Sequence, residues 1–435
     1  MYASFLKDLD VDLNTVNYYR KDNAIFYEVS LNRKIFNCPC CGSNLIYKNG
    51  NKTRKITHAA SNFEKVFIIL KIQKYICRNC NKNFEEKNSI SQKNDQISIP
   101  TIIKILDRLK ISTNTYTSVS KELFLTKQNV IEIFDKYLSI PTYELSEYIS
   151  FDEKYLGSKI LNDNYAFIIF DFVKKEIIDI LPSRRKETLI RYFSKKPIDQ
   201  RDKVKAITID MWDTYRDIAK TYFRNAIIAV DSFHVLENMN KKMNQIRIYY
   251  MNRFNNHSDN ILDNDNNYYM LKKYYYYFIS EFDTLKDVIY VPKFKCKMTK
   301  HEIRKYLLDI DKELSDAYWL IQDYREFNRT ATIEDCEEQL DNLIQRFTHI
   351  RFTCFLEIAN MLIRWRNEII NSFHIVEYKN EQQELIRRRL SNGPIEGCNS
   401  IIKKLILVGN GYGNFKRLKK RIMYCINKTY SYKLK

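Results

Sequence analysis

Between residues 145 and 234, short apolar runs alternate with amphipathic stretches. Runs near 148–155, 164–172, 176–182, 204–210 and 226–231 are rich in Ile, Val and Phe and bounded by polar residues. They are too short for buried helices and predict strands. Helical spacing near 186–195 and 213–222 predicts helices between them. Three of the runs deliver an aspartate: Tyr148-Ile-Ser-Phe-Asp152, Val204-Lys-Ala-Ile-Thr-Ile-Asp210 and Ala226-Ile-Ile-Ala-Val-Asp231. A desolvated carboxylate is costly unless paired or metal-bound. Acids meeting at neighbouring strand ends are therefore candidates for holding divalent metal.

The order strand–strand–strand–helix–strand–helix–strand predicts a mixed RNase H-like sheet. In that topology the first strand lies between the second and fourth, and the fifth flanks the fourth. Asp152 and Asp210 then sit on adjacent strands about 4.8 Å apart. Near the C-terminus the pattern changes. Five of the eight glycines lie between Gly393 and Gly413, and Ser391-Asn-Gly-Pro394 forms a turn. Beyond it Ile395, Cys398, Ile401, Ile402 and Leu405 recur at helical spacing, which puts Glu396 in the first turn of a helix. Glu396 is the candidate third acid, with Asp231 the alternative to Asp210 as second. Asp213 and Glu153 read as a cap or surface charges. Asp231-Ser-Phe-His234 is an accessory element, able to orient a ligand, touch DNA or cap a helix.

Upstream, residues 100–138 are helix-patterned between Pro100 and Pro141. Ser118 to Phe134 has the shape of a helix-turn-helix. Val119, Leu123 and Leu125 pack the first helix and turn, Thr126 caps the second, and Val130, Ile131 and Phe134 face inward. Lys127, Gln128 and Asn129 then occupy the end that meets base edges in such motifs. Residues 1–95 carry short strands and two C-x-x-C pairs, Cys38/Cys41 and Cys77/Cys80. Paired knuckles of this spacing hold a tetrahedral structural zinc. Cys40 is a spare thiol and His58 an alternative ligand. Residues 235–380 are mostly helix-patterned, with a polar interruption over Asn255–Asn267.

Charge narrows the partner. Lys and Arg number 72 against 53 Asp and Glu, a net +19. From Leu385 to Lys435 there are 13 basic residues and one acid, Glu396. Such a balance points to a polyanion, with Lys403, Lys404, Lys416, Arg417, Lys419, Lys420 and Arg421 as phosphate contacts. No run approaches the length of a membrane span and the N-terminus lacks a signal-peptide pattern. A cytoplasmic, nucleoid-associated chain with reduced cysteines is expected.

Together these residues resemble the insertion-sequence DDE transposases of the ISL-three type. The resemblance rests on the cysteine pairs, the helix-turn-helix, Phe151-Asp-Glu153, Ile209-Asp-Met-Trp-Asp-Thr-Tyr215, Val230-Asp-Ser-Phe-His-Val235, Ser391-Asn-Gly-Pro-Ile-Glu-Gly-Cys-Asn399 and Gly411-Tyr-Gly-Asn-Phe415. One departure is Leu405-Ile-Leu-Val-Gly-Asn410, where such proteins usually carry arginine. The resemblance implies cleavage and strand transfer at terminal inverted repeats of a mobile element. It implies a catalytic triad of Asp152, Asp210 and Glu396, two Mg²⁺ or Mn²⁺ ions, double-stranded DNA as partner, and a homodimer on DNA. The expected organisation is a zinc-binding domain (1–95), a helix-turn-helix (96–142), the first part of the catalytic core (143–234), a helical insertion (235–385), and the final core helix with a basic tail (386–435). The competing reading is a DNA-binding regulator with a silent core.

Overall fold

A computed structural model describes the chain except for residues 1–12, 62–63, 93, 158–160, 162, 257–260, 281–286, 351, 381, 410–411 and 435. Gly411 of the Gly-Tyr-Gly segment and residues 257–260 of the polar interruption thus lie outside the described residues. The chain divides into two compact units, Met1–Thr142 with Ser158–Ile160 and Cys398–Lys435, and Tyr143–Gly157 with Leu161–Gly397.

The first unit opens with strands β1 (Leu13–Lys21), β2 (Ala24–Leu31), β3 (Ile46–Ser61), β4 (Glu64–Cys77) and β5 (Asn83–Glu85). Their order is β1-β2-β4-β3, with β5 on β4. Asp22 and Asn23 turn the first hairpin, both at positive φ, a conformation that Asp and Asn tolerate and that matches strand twist. Period-2 alternation buries Ile25, Tyr27, Val29, Val66, Ile68, Leu70 and Ile72 on one face. Helices α1 (Ile99–Lys110), α2 (Tyr116–Glu122) and α3 (Lys127–Tyr137) follow. Thr115 and Thr126 cap the second and third, each in a reciprocal box with the residue three further on. Val119, Leu123, Val130 and Phe134 are buried as the spacing predicted. Ile133 is buried where Ile131 was expected, and Ile131 packs only partly, because the helix presents 130, 133, 134 and 137 as its inner stripe.

β6 (Leu138–Ser139) leads to the second unit, whose sheet comprises β7 (Tyr148–Tyr155), β8 (Tyr165–Asp171), β9 (Glu176–Leu181), β10 (Ala206–Ile209) and β11 (Ile227–Val230). The order is β11-β10-β7-β8-β9, antiparallel within β7-β8-β9 and parallel from β7 through β10 to β11. Helices α4 (Lys186–Phe193), α5 (Ile198–Asp202) and α6 (Asp213–Tyr222) form the connections. Phe151, Phe167, Leu189, Phe193, Tyr215 and Ile218 share one core. Then come α7 (Ser232–Asn256), α8 (Ile261–Lys273), α9 (Lys300–Asp309), α10 (Lys312–Thr330), α11 (Cys336–Thr348), α12 (Thr353–Arg364) and α13 (Arg366–Asn371). Two hairpins that the periodicity did not reveal also occur, β12 (Val288–Val291) with β13 (Cys296–Thr299) inside the helix-patterned stretch and β14 (Ile375–Lys379) with β15 (Leu385–Arg389) across its end. The second hairpin delivers the chain to α14 (Gly393–Val408).

The C-terminus returns to the first unit as α15 (Phe415–Ile426) and β16 (Ser431–Tyr432), which pairs with β6. No helix among the described residues is long and apolar enough to cross a membrane.

Candidate active site and zinc centre

The cysteine pairs converge. Cys38, Cys41, Cys77 and Cys80 bring their sulfurs within 4.8 Å of one another, and Cys38–Cys80 and Cys41–Cys77 are each 3.6 Å apart. Four sulfurs around zinc at 2.3 Å would stand about 3.8 Å apart, so the set fits a structural zinc. The first knuckle is closed by Gly42 at φ +75°, whose N–H donates to the Cys38 carbonyl at 2.9 Å. Backbone donation at Ser43 and the Asn79 amide hold the Cys41 thiol down to about 6. At Cys80 a backbone bond from Lys82 favours the thiolate, but burial and the other three sulfurs push it up to about 12. Cys40 is exposed and outside the cluster. His58 is also outside it; it is buried, with Nδ1 2.7 Å from the Ser98 hydroxyl.

In the second unit the three strand-borne aspartates come into line. Thr208 faces Ser150 across one parallel ladder and Ile209 faces Val230 across the other. Extending these registers sets Asp210 level with Asp152 on one side and Asp231 on the other, on strands about 4.8 Å apart. Asp210 is thus the middle acid. Its Oδ1 receives Nε2 of His234 at 3.0 Å and the Asn392 amide at 2.8 Å, while Oδ2 receives neither. Asp231 is buried, and that burial, together with the charges of Asp210 and Glu396, raises its carboxyl above the ordinary range against the opposing pull of His234 and the Asn392 N–H. Burial opposes a charge on His234, but its bond to Asp210 prevails and lifts it to about 9. Asp152 accepts the N–H of Glu153 at 2.6 Å. Glu396 is exposed in the first turn of α14. No three of these acids bring ligand atoms within 4.8 Å of one another, a spacing met among the described residues by the four cysteines.

Asn392 is the residue that sequence reasoning passed over. Its side chain is 3 % exposed and accepts the Thr208 hydroxyl at 2.6 Å while donating to Asp210 and, at 3.3 Å, to the Phe151 carbonyl. Its own N–H reaches Asp231 at 3.4 Å. The Thr208 hydroxyl also contacts Ser150 at 2.6 Å. One buried amide therefore ties the start of the Glu396 helix to β7, β10 and the end of β11. The signal in the sequence was the glycine-framed turn, which showed that the backbone was constrained but not where the side chain pointed.

The acids read as bland are engaged. Glu153 pairs with Arg184 and accepts Tyr215 Oη at 2.6 Å, and the Arg184 guanidinium lies 4.4 Å from the Trp212 ring. Asp213 pairs with Arg216 and Arg364.

The expected DNA contacts divide sharply. Lys127 and Gln128 are exposed at the start of α3, but the Asn129 side chain is occupied in the capping box, receiving the Thr126 hydroxyl at 2.6 Å. Lys403, Lys404 and Lys416 are exposed. Arg417 instead forks onto Asp135, Lys420 donates to the carbonyls of Phe134 and Asp135, and Arg421, 0 % exposed, donates to those of Ile111 and Asn114. These three fasten α15 to the helical trio. Lys419 is partly buried.

Comparison with known proteins gives the family. A family model described as a transposase, of the ISL-three DDE type, matches residues 149–422. A second, for the zinc-finger of transposase IS204/IS1001/IS1096/IS1165, matches residues 36–80. A transposase for insertion sequence element IS1001 from Bordetella parapertussis is 26% identical over 114 residues, which is 26% of this chain and 27% of that relative's length. The chain belongs to the ISL-three family of transposases.

Proposed function

We propose that the chain is a DNA transposase that binds the terminal inverted repeats of an insertion sequence and catalyses metal-dependent strand cleavage and strand transfer. The second unit's sheet is read as an RNase H-like core (143–234) completed by the final segment from residue 386, which contains α14, with 235–385 as an insertion. Asp152, Asp210 and Glu396 form the triad, with Asp231 and His234 accessory. The observation that carries this reading is the alignment of three aspartates on adjacent parallel strands, with Glu396 near enough to raise the carboxyl of Asp231.

The donor set suits hard divalent cations. It offers carboxylate oxygens, and their mutual repulsion on neighbouring, half-buried strands is relieved by a cation. Two bound Mg²⁺ or Mn²⁺ ions would lower the pKa of an attacking water or 3′-hydroxyl and stabilise the leaving oxygen at phosphorus. The chain's own residues supply position. Asn392 and His234 both hold Oδ1 of Asp210, which fixes the carboxylate and leaves Oδ2 as its proposed metal ligand. Asn392 also fixes the start of the helix that carries Glu396. Asp231, buried and held by the Asn392 N–H, acts on Asp210 from the neighbouring strand.

DNA is gripped by the first unit, where α2 and α3 are read as a helix-turn-helix with Lys127 and Gln128 toward the bases. Lys403, Lys404 and Lys416 reach phosphates. Two element ends must be brought together, so a homodimer on DNA is proposed. Element-end duplex incubated with the chain and Mg²⁺ or Mn²⁺ should be nicked and joined to a target, and Glu396→Gln should bind the same duplex without joining it. Tight binding with no cleavage by the unaltered chain would favour the silent regulator.

A further inference from the structure

The N-terminal sheet has a second face. Opposite the buried side, β1, β2, β4 and β3 present Asn17, Tyr19 and Lys21; Phe26 and Glu28; Lys65, Phe67, Ile69 and Lys71; and Thr53, Lys55 and Thr57. All of these are exposed or half-exposed. Register sets Tyr19 opposite Phe26 and Phe26 opposite Phe67, so three aromatic rings run in one row across three strands. Their centroids are 5.1 and 5.2 Å apart, with planes 4° and 28° from parallel. Contacting carbon faces stand only about 3.5–4 Å apart, so the stack is slipped, and Phe26 and Phe67 stay half-exposed within it. Tyr19, on the edge strand, is 42% exposed.

The charge around the row is one-sided. Lys21, Lys55, Lys65 and Lys71 share the face with one acid, Glu28, which is 3.5 Å from Lys71. The Lys55 ammonium sits 4.0 Å from the Phe67 ring and 5.2 Å from that of Phe26. A bare aromatic row serves only to stabilise a sheet. Four lysines framing it add affinity for a phosphate backbone, and solvent-reachable rings suit bases not already stacked in a duplex. We propose that this face binds single-stranded DNA, bases stacking on Tyr19, Phe26 and Phe67 and phosphates lying on Lys21, Lys55, Lys65 and Lys71. DNA rather than RNA is the occupant because the chain belongs to a family of DNA-mobilising proteins. Tyr19, Lys21 and Phe26 precede the zinc-finger segment, residues 36–80. The site does not depend on the catalytic acids, so an Asp210→Asn chain retains it.

The test is fluorescence anisotropy of the full-length, zinc-loaded protein with labelled oligodeoxythymidine of about 16 nucleotides, near the upper site size of such surfaces, beside an element-end duplex. Tyr19→Ala and Phe67→Ala should each weaken the single strand about fivefold to a hundredfold, the effect of losing one stacked base. Lys55→Gln should weaken it and flatten its salt dependence. Duplex affinity should change less than about twofold. Retained zinc and an unchanged melting profile in Tyr19→Ala, on the exposed edge, separate lost binding from lost fold. Unchanged single-strand affinity, equal loss on duplex, tighter binding of the matching RNA, or an altered oligomeric state without a single-strand effect would each overturn the proposal.

Discussion

Removing the Asn392 amide tests how the site is assembled. Asn392→Ala deletes three side-chain hydrogen bonds from a buried position, to Thr208, Asp210 and the Phe151 carbonyl. Neutral bonds contribute about 1 kcal/mol each and one to a charged group about 1.5–3 kcal/mol. Thr208 keeps its contact with Ser150, so the loss is set at about 3 kcal/mol rather than the full sum. For a unit of this size that lowers the melting temperature by roughly 6–12 °C. Asn392→Asp keeps the shape but turns a donor toward Asp210 into an oxygen, placing one more carboxylate beside Asp210 and Asp231. Like charges about 4 Å apart near a protein surface repel by about 4 kcal/mol before protonation or a cation relieves them. The aspartate variant should therefore be at least as destabilised as the alanine one, and should regain more stability on adding Mg²⁺. Both should lose strand transfer at temperatures where they remain folded. Thermal and urea denaturation, with and without Mg²⁺, are the assays. A melting point within about 1 °C of the parent for both variants, or full strand transfer by either, would refute the clamp.

Other consequences follow from the same geometry. Cys38→Ser or Cys77→Ser should reduce bound zinc from one ion per chain and unfold the N-terminal sheet, whereas Cys40→Ser should leave zinc content unchanged by mass spectrometry. Arg421→Gln should lower stability by about 2 kcal/mol by stranding the Ile111 and Asn114 carbonyls, while Lys416→Gln should weaken duplex binding with no change in melting. Burial holds Lys420 down to about 8. The unfolded chain then binds more protons between about pH 8 and 10.4, so stability contributed by this group rises with pH across that window. Parent minus Lys420→Met stability should follow that slope, and a flat difference would contradict it.

The sheet of the second unit was legible because its strands are short β-branched runs punctuated by polar residues, and the strand order followed from the alternation with helices. The three aspartates were visible for the same reason. Their common level required the parallel registers, which no local pattern encodes. Asn392 was hidden by distance, since its partners lie 184, 182 and 241 residues away. The basic tail was misleading in part. Charge alone does not distinguish an arginine facing phosphate from one facing Asp135, which lies 282 residues upstream of Arg417. The hairpins β12–β13 and β14–β15 escaped notice because strands of four or five residues inside a helical stretch or across its end carry too few positions for a period of two to register.

The central claim is that Asp210, the middle of three aligned acids, takes part in metal-dependent strand transfer. The most direct measurement is joining of a labelled element end to target DNA in Mg²⁺ by the parent and by Asp210→Asn, with duplex affinity and melting temperature recorded for both. Asp210→Asn should bind the end and stay folded but join no DNA. Joining at the parental rate by Asp210→Asn would contradict the claim.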